Sequence, residues 1–207
     1  AMQEHTDVRG TIGGLTITND GTDAAHDIGI AVGFARDYTD AATMSLTGAL
    51  IKKIDATWAV GTNAGGLDST DTVAANTGYG VYLIRRSDTG VVDVLMSSDM
   101  TAAGSALTMP TNYDQKRLIG WVRTDASSNI TAFIHSGDYF RLTGDVYLEV
   151  NDNTITGDTF ETAAFTTPPL SLTHISAIYT STGTDTYTNL NVKTKGAADA
   201  GFLESFA

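Results

Sequence analysis

Turn chemistry interrupts this chain about every eight to twelve residues, and the runs between interruptions are short and rich in Val, Ile, Thr and Tyr. That spacing leaves little room for long helices and calls for short strands joined by tight loops. The residue counts agree. Thr occurs 33 times and Gly 21 times, and 20 of the 24 acidic residues are Asp, against four Glu and five Lys. Helical domains draw on Ala, Leu, Glu and Lys, whereas strands favour Thr, Val, Ile and Tyr and turns favour Asp, Asn and Gly. The expectation is an all-β chain, an antiparallel β-sandwich of jelly-roll type. Its Ala content leaves room for one or two short helices.

The individual runs can be placed. Residues 1–9 show no periodicity and read as an arm or linker, residues 10–141 as the sandwich domain, and residues 142–207 as a Thr-rich β region that could belong to the same sandwich. Leu15 to Thr18 runs into the turn Asn19-Asp20-Gly21. Asp27 to Phe34 alternates, with Ile28, Ile30, Val32 and Phe34 on one face of a half-buried strand. Residues 43–53 are read as a strand, although Met44, Leu46, Leu50, Ile51 and Ile54 also fit a helical stripe. Residues 60–78 lack a hydrophobic period and form the longest loop candidate. The clearest hairpin joins Tyr79–Arg86 to Val91–Met96 through Ser87-Asp88-Thr89-Gly90. A second pair joins Arg117–Arg123 to Ile130–His135 across Asp125–Asn129. Further strands are expected at Tyr139–Leu142, Val146–Val150, Phe160–Phe165, Leu170–Tyr179 and Tyr187–Val192.

Several chemistries are excluded or unsupported. There is no Cys, so disulfides, thiolate metal sites and cysteine nucleophiles are absent. The net charge is −12 and the densest basic stretches are only pairs, such as Lys52-Lys53 and Arg85-Arg86, which does not suit a phosphate backbone. No run approaches the roughly 18 apolar residues of a membrane span. Neither nucleic-acid binding nor membrane insertion is therefore expected. Phosphate-loop, HExxH and GxSxG patterns are missing. The four histidines, His5, His26, His135 and His174, are widely separated and do not have zinc spacing.

Two weak constellations remain. Asp20, Asp23 and Asp27 lie close together around a Gly-bearing loop and are candidate ligands for calcium, the only cofactor considered, although Asp in such loops commonly caps turns. Asn151-Asp152-Asn153 with Asp158 is a second, weaker set. Among the aromatics, Trp58 and Tyr113 are the candidate glycan-binding residues. Tyr79 and Tyr82 are also of interest, and Trp121 reads as core. No catalytic residue is assigned. Asp/Glu pairs are too plentiful to single out a glycosidase site.

Several phrases occur in a characteristic order over residues 13–141. They are Gly14-Leu-Thr-Ile-Thr-Asn19; Asp27-Ile-Gly-Ile-Ala-Val-Gly-Phe-Ala-Arg-Asp37; Trp58-Ala-Val-Gly-Thr62 with Gly65-Gly-Leu-Asp68; Val81 to Asp93; and Met109-Pro-Thr-Asn-Tyr-Asp114 with Lys116-Arg-Leu-Ile-Gly120. In this order they resemble a family of tailed-bacteriophage and prophage virion proteins of the tail-fibre or tail-associated kind. The resemblance implies a non-enzymatic protein of the virion, in a tail fibre or tail tip, with other virion proteins as partners. It further implies a homo-oligomer, a trimer by analogy with other fibres, that contacts the host surface through glycan or envelope. The alternatives are a capsid or tail decoration protein without receptor binding, a free-standing carbohydrate-binding module, and a glycan-cleaving depolymerase.

Overall fold

The computed structural model describes residues 10–137 and 139–143. All of them lie within one compact unit of the chain. The N-terminal arm, the strands expected after residue 145, and His5 and His174 fall outside the described residues, as does the Asn151–Asp158 set.

Three chain segments build a corner. The first carries β1 (Ile12–Gly14) and β2 (Ile17–Asn19), the second β3 (Asp27–Ile30) and β4 (Gly33–Arg36), and the third β5 (Thr43–Leu46) and β6 (Leu50–Thr57). Each contributes one strand to a three-stranded sheet, in the order β1-β4-β5, and one to a seven-stranded sheet. The first two segments stay paired through the bend. Gly14 faces Gly33, the Leu15 amide donates to the Val32 carbonyl at 3.2 Å, and Ala31 donates to Thr16 at 2.9 Å before Ile17 faces Ile30. Strands that pass from one sheet to the next through a bend are how sandwiches turn corners.

The bend demands glycine. Gly14 has φ +68°, and a Cβ there would lie 2.5 Å from the Val32 oxygen; a Cβ on Gly33 would lie 2.4 Å from the Gly13 oxygen. Leu15 also adopts a left-handed φ of 55° while burying its side chain. The single strand expected over 27–34 is therefore two strands in two sheets. Ile28 and Ile30 enter the protein's own core, and Val32 is exposed on the outside of the bend. The segment 43–53 is strand, interrupted at 47–49.

The seven-stranded sheet continues with β7 (Ala64–Leu67), β8 (Gly78–Arg85), β9 (Val92–Ser97) and β10 (Gln115–Arg123), in the order β10-β8-β9-β7-β6-β3-β2. The fold is all-β and sandwich-like, as the turn spacing requires, and no helix occurs among the described residues. The large sheet is mixed, because β7 runs parallel to both β6 and β9. This central strand comes from the stretch expected to be a loop. Its sequence, Ala-Gly-Gly-Leu, carries no alternation because it has little side chain to alternate. Glycine in a strand often marks a close backbone approach. Here a Cβ on Gly65 would fall 2.0 Å from the Thr57 oxygen.

The β8–β9 hairpin forms as expected, with Arg85 opposite Val92. The second expected pair does not. β10 pairs with β8, and only Thr124 and Ile130 bridge the Asp125–Asn129 turn. The residues beyond form β11 (Phe133–Ser136), which pairs with β12 (Tyr139–Leu142). That small hairpin stacks Phe133 and His135 around Phe140, which also meets Trp121 at 5.0 Å. It also shields the free edge of β2. His135 Nδ1 accepts the Ile17 amide at 2.9 Å, and Asn19 Oδ1 accepts the Phe133 amide at 3.2 Å. Covering an edge in this way blocks pairing with foreign strands.

The main core lies between the sheets and includes Leu15, Ile17, Ile28, Ile30, Met44 and Ile54, with Val81, Leu83, Val94 and Met96 from the hairpin. Each such side chain contributes about 1.5–3 kcal/mol on burial. A second cluster, Tyr82, Ile84, Leu95 and Tyr113, forms separately from this core. β8 is thus buried on both faces, which explains its continuous apolar run.

Candidate functional site

The second cluster needs a cover, and loops supply it. Residues 98–114 fold back over Tyr82 and Ile84, and residues 58–63 fold over the neighbouring strands. Trp58, Leu107, Met109 and Tyr113 pack from these loops onto the rest of the cluster, and polar side chains fix the loop backbones around them. The Tyr82 hydroxyl reaches the carbonyls of Asp99 and Thr101 at 2.8 and 2.6 Å. Asp99 accepts the amides of Thr101 and Ala106, and Asp68 accepts those of Thr70 and Thr108. Asp71 accepts hydrogen bonds from Ser97 and Ser98. An Asx side chain suits this use because its short carboxylate reaches amides two or three residues away.

The loop at 58–63 is fixed by a buried ion pair. Lys52 Nζ lies 3.0 Å from Asp93 Oδ1, with side chains 0% and 1% exposed. Lys52 also donates to the carbonyls of Ala59 and Gly61 at 2.6 and 3.2 Å, and Asp93 accepts the Gly61 amide at 2.7 Å. Burial pushes the lysine pKa down, and the Asp93 charge opposes that shift. Both charges have hydrogen-bonding partners, as a buried pair requires. The ammonium sits 5.3 Å from the centre of the Trp58 ring.

Between these loops lies a groove of about 630 Å³. Trp58, Leu95, Met109 and Tyr113 give it apolar surface, while Thr57, Ser69, Thr108 and Thr111 add hydroxyls. Arg86 also lines it, and among the described residues none of those lining it is a carboxylate. Trp58 and Tyr113, each a candidate from sequence, meet here edge to face, with ring centres 5.1 Å apart at 76°. They do different work. Trp58 is half-buried and anchored by its indole N–H to the Val94 carbonyl at 3.1 Å. Tyr113 is only 7% exposed and buttresses it.

The other aromatics lie elsewhere. Tyr79 is fully buried, its hydroxyl tied to Thr72 and Ala74, and Tyr82 is fully buried beneath the 98–114 loop. Trp121 is half-buried against Phe140.

Each of the three candidate calcium carboxylates has hydrogen-bonding or ionic partners of its own. Asp20 accepts the amides of Thr22 and Asp23, and Asp23 accepts those of Ala25 and His26 and also pairs with the His26 ring at 3.1 Å. Asp27 is buried and faces Lys53 Nζ at 3.6 Å. Their pKa values separate accordingly. Hydrogen bonds lower Asp20 and Asp23, whereas burial raises Asp27 against the pull of Lys53. Among the described residues, no group of three or more His, Asp or Glu side chains is arranged to hold a metal ion.

Known proteins add nothing to this geometry. No protein-family model matches the chain, and no curated protein or solved structure matches it.

Sequence reasoning missed Arg86, Met109 and the Lys52–Asp93 pair. One signal was available: Asp93 is the single acid inside the apolar run Val91–Met96, where an inward carboxylate must find a counter-charge. Its partner lies 41 residues away in sequence (93 − 52), and nothing local identifies it.

Proposed function

We propose that this chain is a non-enzymatic structural protein of a tailed-phage virion, placed in a tail fibre or tail tip, that contacts host-surface glycan through the groove beside Trp58. The observation that carries the reading is the partly buried Trp58 ring, anchored by its indole N–H at the edge of a groove whose polar lining is mostly hydroxyl. A pyranose has one face of C–H groups that packs on an aromatic ring, and hydroxyls around its rim that need hydrogen-bonding partners. Most glycosidases use two carboxylates flanking the scissile bond. Among the described residues the lining offers none, which favours binding over cleavage. The ordered phrases across residues 13–141 support the virion setting, and a homotrimer assembled with other virion proteins is proposed by analogy with other fibres.

The test is calorimetric titration of the full chain with neutral and uronate-bearing oligosaccharides, beside Trp58→Ala and a solution mass by light scattering. Saturable binding that weakens about tenfold or more in Trp58→Ala, a loss of about 1.4 kcal/mol, is the expected result. Failure to bind any glycan, with tight binding to purified virions instead, would replace this reading with that of a decoration protein. A monomeric mass would remove the trimer.

A further inference from the structure

We infer that the groove discriminates among glycans by charge, with Arg86 reading a carboxylate on an acidic sugar and Asp88 occupying that position when the groove is empty. This rests on the glycan-binding reading above and specifies its ligand as a uronate-bearing saccharide. Three observations carry it. Among the described residues, Arg86 is the one charged side chain on the groove lining, in a protein of net charge −12. Its guanidinium is set in the fork geometry that receives a carboxylate, with Nε 3.0 Å from Asp88 Oδ1 and Nη2 2.7 Å from Oδ2. Asp88 itself is 55% exposed on the hairpin turn and two residues from Arg86, so it can leave without disturbing the core.

The geometry gives Asp88 the role of an internal stand-in. A bidentate arginine–carboxylate contact is specific for a planar anion with two oxygens. An exposed pair of this kind is weak, so a ligand carboxylate that also stacks on Trp58 can displace it. The nearby Asp114 does not compete, because its carboxylate is held by the amide and hydroxyl of Ser87. The overall negative charge does not forbid an anionic ligand either. At physiological salt, charges beyond about 8 Å are largely screened, and the local fork dominates.

The experiment titrates oligogalacturonate and maltoheptaose into the full chain, Arg86→Gln, Asp88→Asn and Trp58→Ala. The expected pattern has four parts. The wild type prefers oligogalacturonate. Arg86→Gln loses about tenfold in affinity for it and nothing for maltoheptaose. Asp88→Asn gains about two- to fivefold for the acidic sugar alone. Trp58→Ala weakens both. Because Asp88→Asn is expected to gain affinity, misfolding cannot imitate it. Equal binding of the two sugars, or an Arg86→Gln variant indistinguishable from wild type, would overturn the charge reading and leave the groove intact. Absence of binding to either sugar by wild type and by Asp88→Asn would overturn the groove reading and this one with it.

Discussion

The corner at Gly14 and Gly33 and the groove at Trp58 are held by different means. At the corner the backbones approach so closely that a single methyl group would collide with a backbone carbonyl, and backbone hydrogen bonds and the core residues Leu15, Ile17 and Ile30 hold the bend. At the groove, Lys52, Asp93, Asp68, Asp99 and Tyr82 hold the covering loops with side-chain hydrogen bonds, beside an equally close approach of Gly65 to the Thr57 carbonyl. The corner therefore fails when something is added, and the loops over the groove fail when something is removed. A binding surface suits the second design, because polar ties hold loops in place without filling the space a ligand needs.

The sharpest way to break this contrast is to remove one half of the buried pair. Lys52→Met leaves Asp93 without its counter-charge and is expected to cost about 3–5 kcal/mol in urea unfolding. The double variant Lys52→Met with Asp93→Leu should recover only the part due to the stranded Asp93 charge, since the Ala59 and Gly61 backbone groups lose their partners as well. A single-variant loss below about 1 kcal/mol would mean the pair does not secure the groove wall.

An addition at the corner should cost somewhat less. Gly14→Ala forces a side chain into a left-handed backbone against the Val32 carbonyl, and a loss of about 1–3 kcal/mol is expected. Gly48→Ala is the control, with open space around the new methyl and no positive φ. It should stay within about 1 kcal/mol of wild type. Equal costs at the two positions would show that close packing at the bend is not what selects glycine there.

The smallest effect is a pH dependence, and its sign separates two aspartates. Burial disfavours the Asp99 charge, but hydrogen bonds from Thr101 and Ala106 outweigh burial and lower its pKa. Its contribution is thus present above the ordinary carboxylate range, about 3.9, and is lost as pH falls through the lower folded value. Asp27 is raised by burial, so the folded state favours its neutral form and gains relative stability on acidification. Chemical unfolding at neutral pH and at about pH 3 should therefore show the stability deficit of Asp99→Asn shrinking in acid. The deficit of Asp27→Asn should grow over the same range. Parallel behaviour of the two variants would contradict the assignment.

Local chemistry was legible wherever a side chain reported its own neighbourhood. The β8–β9 hairpin could be read from two apolar runs around Asp88-Thr89-Gly90, because both strands and the turn carry their signals within a few residues. Trp58 and Tyr113 could be selected as aromatics beside turns, but their contact could not, since 55 residues separate them (113 − 58). Where side chains were absent, the reading failed. β7 looked like loop because Gly65 and Gly66 display no alternation, yet the missing side chains are what let it lie between β6 and β9. The 27–34 run looked like one strand because alternation continues smoothly through a bend of the backbone.

The sequence by itself determined the all-β class, the turn positions and the use of Asp to cap loops, because these depend on preferences expressed over two to four residues. Only the tertiary structure decided which carboxylates tie loops and which faces a lysine, where the sheet turns its corner, and that Trp58, Tyr113 and Arg86 share one groove. Those outcomes depend on which distant backbones come close enough to exclude a side chain or to be bridged by one, and that proximity is a property of the packed chain.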